Sequence, residues 1–242
     1  MSMNLEGHTL HSYDGELNHI HSRVVEMAKL VLDQTQQVIK AFDEQDFEKV
    51  NLVIEREHNV DLDEVSIDEE IVDITARRSP VAKDLRVIMS LCKSVTDLER
   101  IGDEAAKIAH LTKEIFDNDR ADPSVYLLRD VLTMGDLAVS ALEDAVTVLS
   151  DIDSVKAESL LKDHAALDIE FQSSLRRLTT FILEDARNVG HTISIVLIIK
   201  ALERIGDHAR NLGEYIIYLV EGMDVRHKVK KVRHSIQHTE PQ

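Results

Sequence analysis

The sequence has few of the residues that interrupt helices or build sheets. Its 242 residues include 8 glycines, 3 prolines, no tryptophan and only 4% aromatic residues. Strands favour aromatic and β-branched side chains and need frequent turn residues between them. This scarcity favours long helices with few connections. Cys92 is the single cysteine, which excludes an internal disulfide, and its apolar neighbours predict a buried thiol.

Long apolar segments are also missing. The longest apolar run, from Ile193 to Ile199, includes Ser194 and stops at Lys200. A membrane-spanning helix needs roughly 20 apolar residues. The N-terminus shows no basic segment followed by an apolar core, so no signal peptide is evident. We therefore expect a cytoplasmic protein without a transmembrane segment.

Positive charge is in deficit. Lys and Arg number 28 against 45 for Asp and Glu, which gives a formal net charge of −17. So acidic a surface repels phosphate backbones and anionic membranes. We therefore expect no nucleic-acid partner, and favour a cationic ligand or a basic protein face.

The apolar pattern predicts six helices. Ser79-Pro80 and Asp122-Pro123 each resemble an N-cap followed by proline at the first helical position. The predicted helices cover about 14–44, 46–76, 80–116, 124–149, 154–184 and 188–222. Such long helices are typical of antiparallel bundles.

An internal repeat divides the chain into two halves. The segment from Leu98 to Asp103 recurs identically from Leu202 to Asp207, an offset of 104 residues. Upstream the offset becomes 107, which pairs Met27 with Met134, Asp46 with Asp153 and Asp61 with Asp168. We predict an all-α fold of two tandem antiparallel three-helix bundles. The bundles span 14–116 and 124–222, with a linker at 117–123 and a basic, mobile tail at 223–242.

The repeated motif carries a pair of carboxylates one helical turn apart. On an ideal helix Glu99 and Asp103 share a stripe with Ile88, Cys92 and Val95, whereas Asp97 falls on another side. We therefore predict that both carboxylates face the core, and Glu203 and Asp207 likewise. Buried carboxylates must be paired with a base, protonated, or bound to metal.

The hairpin geometry adds further candidates. In a hairpin of two antiparallel helices, residues at equal sequence distance before and after the turn lie side by side. The predicted turns are near Pro80 in the first half and near Asp185-Ala186 in the second. The predicted metal ligands are Glu57, Asp61, Glu99 and Asp103 in the first half, and His164, Asp168, Glu203 and Asp207 in the second. Oxygen-rich clusters suit Mg²⁺, Ca²⁺, Mn²⁺ or iron, whereas imidazole favours transition metals, which include zinc. Similar acidic spacings at Glu64–Asp68 and Glu69–Asp73 are interpreted as chance on a solvated face.

Two other residues of the motif have structural interpretations. Gly102 and Gly206 lie inside helices, where glycine is unfavourable, and indicate close helix packing, room for a metal, or both. Arg100 and Arg204 project about 100° from the glutamates, which favours ion pairing at the helix edge.

With these features in place, the chain resembles the PhoU family of phosphate-signalling regulators from about Leu17 to Gly222. Other matching segments are 64–69, 79–86 and 185–188. The resemblance implies two three-helix bundles, whose acidic motifs bind multinuclear metal clusters in some members, and a non-enzymatic role in damping the phosphate-starvation response. It implies the phosphate ABC transporter, with its ATPase subunit, and a sensor histidine kinase as partners; we also expect a homodimer. His164 departs from the family pattern, in which an acid is expected, and so predicts a different metal preference in the second half.

Two alternatives remain open. A carboxylate-bridged di-metal oxidase would use Glu-x-x-His motifs, and Glu16-x-x-His19 and Glu55-x-x-His58 have that spacing, but neither recurs in the second half. A metal-free helical adaptor would instead satisfy its carboxylates with arginine or lysine.

Overall fold

The computed structural model describes residues 11–116, 125–184 and 189–225, and all regular structure in these ranges is helical. The helices are α1 (His11–Glu44), α2 (Phe47–Arg78), α3 (Ala82–Phe116), α4 (Val125–Asp151), α5 (Ser154–Asp163), α6 (Ala165–Glu184) and α7 (Val189–Glu221). The predicted all-α fold is confirmed. The predicted linker at 117–123, the turn near Asp185-Ala186 and the tail from residue 226 lie outside the described residues.

The fifth predicted helix is interrupted at one residue, His164, which separates α5 from α6. The backbone there remains helical, with φ −54° and ψ −24°. The His164 N–H still donates to the Leu160 carbonyl at 3.2 Å. The two segments therefore occupy the place of the single predicted helix, and the interruption falls at a predicted metal ligand.

Matching aspartates begin the second helix of each half. Asp46 accepts hydrogen bonds from the backbone N–H groups of Glu48 and Lys49 at the start of α2. Asp153 does the same for Val155 and Lys156 at the start of α5. Such caps satisfy N–H groups that have no partner within the helix. The two halves thus share a local structural signal as well as a sequence repeat.

The predicted helix start at Ser79-Pro80 is wrong. Ser79 instead ends α2: it adopts a left-handed conformation with φ 47°, and its N–H donates to the Thr75 carbonyl at 3.0 Å. Helix α3 begins two residues after Pro80, at Ala82. Proline cannot continue a helix that needs its N–H, so here it follows the end of α2.

Helices α3 and α7 form the centre of the molecule. In the first half α3 packs against α1 and α2, and in the second α7 packs against α4, α5 and α6. The two central helices also pack against each other, and α1 contacts α4. Fully buried side chains recur at repeat-related positions of these helices: Leu98, Ile101 and Ile108 on α3, and Leu202, Ile205 and Leu212 on α7.

The central helices run antiparallel. Ser90 near the start of α3 donates to the carbonyl of Tyr215 near the end of α7 at 3.3 Å. Further along α3, Glu104 forms an ion pair of 2.5 Å with Arg204. Arg204 therefore forms an ion pair with Glu104 between the two halves, in agreement with the predicted ion pairing at the helix edge.

Across the described helices, none combines the length and the apolar character needed to cross a membrane.

Candidate metal centres

The α2–α3 hairpin brings three of the predicted ligands together. Carboxylate oxygens of Asp61, Glu99 and Asp103 all lie within 4.8 Å of one another. We call these three residues the first acidic group. Their convergence places Asp61 on α2 beside the acid–x–x–x–Asp motif on α3, and an oxygen-only donor set of this kind suits hard divalent cations.

Electrostatics in the first acidic group are unfavourable without a cation. Desolvation raises the pKa of Glu99 to about 7, and repulsion from Asp103, Glu64 and Asp61 adds to the shift. Desolvation, followed by repulsion from Asp61, also raises the pKa of Asp103. Carboxylates that repel one another in this way are stabilised by a bound cation.

Glu57 lies at the edge of this group. Desolvation and the charges of Asp103 and Asp61 raise the pKa of its carboxyl. Its oxygens are outside the set that lies within 4.8 Å. Glu57 is thus near enough to interact electrostatically with both aspartates, but it does not belong to the first acidic group.

Glu64 was missed by the sequence interpretation, which attributed it to chance. Desolvation raises the pKa of Glu64, and repulsion from Asp68, Asp61 and Asp103 adds to the effect. The signal was present in the sequence, since Glu57, Asp61, Glu64 and Asp68 follow the 4-3-4 spacing of one helical stripe. The acidic strip on α2 therefore extends beyond the predicted pair.

The second half contains a corresponding group with a different composition. The imidazole Nε2 of His164 lies 3.0 Å from Asp207 Oδ1 and 3.8 Å from Asp168 Oδ1. One ligand atom of each residue lies within 4.8 Å of the others. We call His164, Asp168 and Asp207 the second acidic group. One nitrogen and two carboxylates form a donor set that suits transition metals.

Burial differs sharply within this second group. The His164 side chain is 4% exposed, whereas that of Asp207 is 50% exposed. Burial on its own would raise the pKa of Asp207, but the hydrogen bond and charge of His164, with Lys200 and Arg210, lower it. The group therefore has a buried side, at His164, and a solvent-accessible side, at Asp207, through which an ion could enter.

His164 also has an unsatisfied ring nitrogen. Its Nδ1 is buried and has no hydrogen-bond partner among the described residues. A buried polar atom without a partner is unfavourable and calls for an explanation such as a water or an ion. The same ring lines a cavity of about 530 Å³, together with Asp168 and Arg210. An ion shared with the two carboxylates would bind Nε2, the ring nitrogen that faces them, so the fit of this group to a metal rests on its donor chemistry.

Glu203, the remaining predicted ligand, is engaged elsewhere. Its Oε2 lies 2.5 Å from the ammonium of Lys200, and its side chain is 12% exposed. Glu203 does not belong to the set of atoms that lie close together around His164.

The predicted core-facing orientation is wrong for Asp103 and Asp207, whose side chain is 50% exposed, whereas Glu203 is 12% exposed, close to the prediction. Glu99 is half-buried and Asp103 exposed, whereas Asp97, expected on another side, is 2% exposed. Helix α3 packs against α1, α2 and α7, so most of its perimeter is covered and apolar residues surround it. Glu99 lies at the border of the sector left open: Leu85 and Met89 on one side of it are exposed, whereas Ile88 and Val95 on the other are buried.

The glycines of the repeated motif allow close helix contacts beside each group. A Cβ added to Gly102 would lie 3.1 Å from Val60 Cγ1, and one added to Gly206 would lie 2.2 Å from Leu167 Cδ2. Val60 and Leu167 are repeat-related and precede Asp61 and Asp168. Glycine thus brings the acidic residues of neighbouring helices to within ligand distance.

The residues of the oxidase alternative do not join these groups. The Glu16 carboxylate accepts hydrogen bonds from both Arg77 and Arg78. His19 is exposed and lies near Glu70, at 3.6 Å. Glu55 and His58 are exposed on α2. These side chains therefore supply no second set of ligands beside either acidic group.

Comparison with known proteins identifies the family. A family model described as the PhoU domain matches residues 24–112 and 131–216. A phosphate-specific transport system accessory protein PhoU homolog from Pseudomonas putida is 38% identical over 236 residues, covering 97% of this chain and 91% of the relative. The accessory protein PhoU of Escherichia coli (strain K12) is 34% identical over 226 residues, covering 93% and 92%.

Solved structures agree with this assignment. The crystal structure of PhoU from Pseudomonas aeruginosa superposes with a TM-score of 0.82 at 35% identity, covering 87% of this chain and all of that one. That of the phosphate transport system regulatory protein PhoU from Streptococcus pneumoniae gives 0.79 at 25% identity, covering 88% and 99%. None of these names is that of an enzyme, in agreement with the prediction of a non-catalytic protein. The chain belongs to the PhoU family.

Proposed function

We propose that this protein is a metal-binding negative regulator of phosphate uptake and of the phosphate-starvation response. Its relatives are named accessory proteins of phosphate-specific transport systems, and one solved relative is named a regulatory protein. In this proposal it acts from the cytoplasm, as a homodimer, on the ATPase subunit of a phosphate ABC transporter and on a sensor histidine kinase. It does so by binding rather than by catalysis.

The observation that carries the metal-binding part is the recurrence of ligand groups at matching positions. Asp61 and Asp103 in the first half correspond to Asp168 and Asp207 in the second, and each pair approaches a third donor. A single acidic cluster is common on a protein as acidic as this one. Two clusters at matching positions of a repeat, each with three donor atoms within 4.8 Å of one another, support a shared ligand.

The bound ions would neutralise carboxylates and hold α2 to α3, and α5 and α6 to α7. The carboxylates and His164 would supply the ligands, with iron, Mn²⁺, Mg²⁺, Zn²⁺ or Ca²⁺ as candidates, one or more ions per group.

Because both groups lie at the surface, an ion there would be accessible to a partner. Exposed apolar side chains, Met89 and Leu85 on α3 and Ile193 and Leu197 on α7, flank the motifs and support a role in partner contact.

A regulator without catalytic machinery transmits a signal only by binding two states of a partner with different affinities. The protein is therefore expected to bind the transporter ATPase with an affinity that depends on nucleotide or metal. The binding measurement would use purified ATPase subunit with and without ATP, and with metal added or chelated. Equal affinity under all four conditions would contradict the proposal.

The metal-binding part is tested by titration of the untagged, chelator-stripped chain. Divalent ions should raise the melting temperature, because a ligand that binds only the folded state stabilises it. Asp61→Asn with Glu99→Gln should remove the response of the first half, and His164→Ala with Asp207→Asn that of the second. Glu48→Gln with Glu55→Gln is a matched control on exposed positions of α2. No response to any of the five candidate metals would exclude the metal-binding function.

The regulatory part is tested in cells. A strain without this protein should express phosphate-starvation genes in high phosphate, and the intact gene should restore repression. Normal repression in the deletion strain would contradict the proposal regardless of metal binding.

A further inference from the structure

One of the positions at which the two halves differ lies three residues before the glutamate of each acidic motif. Thr96 precedes Glu99 by three residues, and Lys200 precedes Glu203 by the same three, so the two are related by the repeat offset of 104. Thr96 bonds within its own helix, its hydroxyl donating to the Cys92 carbonyl at 3.4 Å. Lys200 instead directs a positive charge into the second motif.

Lys200 is held in place by two contacts. Its Nζ lies 2.5 Å from Glu203 Oε2, and 5.1 Å from the centre of the Phe171 ring. The ring face attracts a cation and limits the positions that the ammonium can adopt. The lysine is thus positioned, although its side chain is 47% exposed.

Glu203 needs such a partner because it is only 12% exposed. A buried carboxylate is stable only if it is paired, protonated or bound to metal. The ammonium of Lys200 provides the pairing within the protein itself. In the described part of the chain, Glu99 has no ion pair with a lysine or arginine within 4.0 Å, although it occupies the same place in the repeat.

The charge available to a cation therefore differs between the halves. The first half presents four predicted carboxylates: Glu57, Asp61, Glu99 and Asp103. In the second, His164 replaces one carboxylate and Lys200 neutralises another, which leaves Asp168 and Asp207 beside the imidazole. The second group combines fewer negative charges with a nitrogen donor, since His164 Nε2 lies 3.0 Å from Asp207 Oδ1.

We propose that Lys200 takes the place of a cation at Glu203 and so makes the two metal sites unequal. The second site then binds metals of the class that accepts nitrogen and oxygen ligands, such as Zn²⁺ or Fe²⁺. The first site binds oxygen-preferring ions, such as Mn²⁺ or Mg²⁺. This inference rests on the metal-binding function proposed above, and assigns Lys200 as the residue that determines metal selectivity.

The test exchanges the two residues in the full-length chain. The first group is disabled in both proteins by Asp61→Asn and Glu99→Gln. Isothermal titration calorimetry then compares the Mn²⁺ and Zn²⁺ affinities of the protein that retains Lys200 with those of the protein that also carries Lys200→Thr. The substitution should strengthen Mn²⁺ binding by about tenfold, since it removes a positive charge that acts on Asp207 and frees the Glu203 carboxylate. Zn²⁺ affinity should change less, because the His164 nitrogen remains.

Lys162→Thr is the matched control. Lys162 lines the cavity that His164 and Asp168 line, but its ion pair is with Glu158, at 3.9 Å. The reciprocal change, Thr96→Lys with the second group disabled by His164→Ala and Asp207→Asn, should weaken Mn²⁺ binding by about tenfold. Melting temperatures of the chelated variants show whether each one folds.

The outcomes separate the two proposals. Absence of metal binding in the unaltered chain would overturn the metal-binding function itself. Metal binding in which Lys200→Thr behaves like Lys162→Thr, and Thr96→Lys like the parent, would overturn the role of Lys200 alone. Selective strengthening of Mn²⁺ binding by Lys200→Thr would establish it.

Discussion

His208 Nδ1 lies 2.7 Å from Asp97 Oδ1 in the buried contact between α3 and α7. The other oxygen of the same carboxylate accepts a hydrogen bond from the Tyr215 hydroxyl, also at 2.7 Å. Asp97 comes from the first half of the chain and both partners from the second. This network, which neither the repeat nor the hairpin geometry predicted, joins the halves through a side chain that is 3% exposed.

Loss of one hydrogen bond of this network should destabilise the protein. Tyr215→Phe leaves an oxygen of Asp97 without its donor, and hydrogen bonds to charged groups contribute about 1.5–3 kcal/mol. Urea denaturation should show a fall of that order in the free energy of unfolding. Tyr218→Phe is the control, because the Tyr218 hydroxyl forms no hydrogen bond with the described residues. Equal stabilities of the two variants would contradict the role assigned to Asp97.

Alanine at the two motif glycines should have unequal effects. In Gly206→Ala the new methyl group would lie 2.2 Å from Leu167 Cδ2, and such overpacking costs about 1–3 kcal/mol. In Gly102→Ala the 3.1 Å approach to Val60 needs only a small shift, and the helix propensity of alanine offsets part of the cost by up to about 1 kcal/mol. Thermal denaturation should therefore show the larger loss for Gly206→Ala.

Gly15→Ala is the control for these variants, because an added Cβ there would meet nothing within 4 Å. It should leave the stability of the protein unchanged or raise it. Similar losses at Gly102 and Gly206 would show that Leu167 moves aside freely. Because Leu167 precedes Asp168, Gly206→Ala should also reduce the thermal response to Zn²⁺.

Cys92 should react slowly with thiol reagents. Desolvation, and secondarily the charge of Asp68, raises the pKa of its thiol, and Sγ lies 4.0 Å from Asp68 Oδ1. Since the thiolate is the nucleophile, alkylation by iodoacetamide at pH 8 should be slower than that of a cysteine peptide. Asp68→Asn should accelerate it, whereas Asp73→Asn, whose parent carboxylate is paired with Arg77, should not. A rate unaffected by Asp68→Asn would show that desolvation alone controls the thiol.

The sequence predicted the positions of the acidic residues along their helices better than the direction in which they face. The repeat and the distances from the hairpin turn brought Asp61 level with Glu99, and His164 level with Asp207. The direction was wrong because α3 has apolar residues around most of its perimeter, and the sequence does not reveal that α7 covers one side. Asp97 was placed outside for the same reason.

Other features depend on distant contacts that no local pattern encodes. The pairing of Asp97 with His208 spans 111 residues, and depends on how the halves dock. The Lys200–Glu203 pair, by contrast, has the i, i+3 spacing of neighbours on a helix face. The proposed effect of this pair on metal selectivity follows only from the burial of Glu203, which the sequence does not reveal.

The stability of the metal-free protein should depend on pH through Glu99, because the folded protein holds its pKa near 7, above the ordinary value of 4.5. Between these two pH values the folded state retains a proton that the unfolded state has released. The contribution of Glu99 to the free energy of unfolding therefore rises as the pH falls from about 7.5 towards 5.5. His21 acts in the opposite direction, because desolvation lowers its pKa and acid favours the unfolded state. The informative quantity is therefore the difference between the unaltered chain and Glu99→Gln.

This difference should be measured by urea denaturation in the presence of a chelator at pH 7.5 and 5.5. The unaltered chain should gain stability relative to Glu99→Gln at the lower pH, whereas Glu55→Gln, at an exposed position on α2, should follow the unaltered chain. Metal binding should show the reverse dependence, since an ion must displace the proton from Glu99, so the thermal response to Mn²⁺ should decline towards pH 5.5. A response to Mn²⁺ that is independent of pH would show that Glu99 is not a ligand. A stability difference that is independent of pH would show that its carboxyl is solvated like any other on the surface.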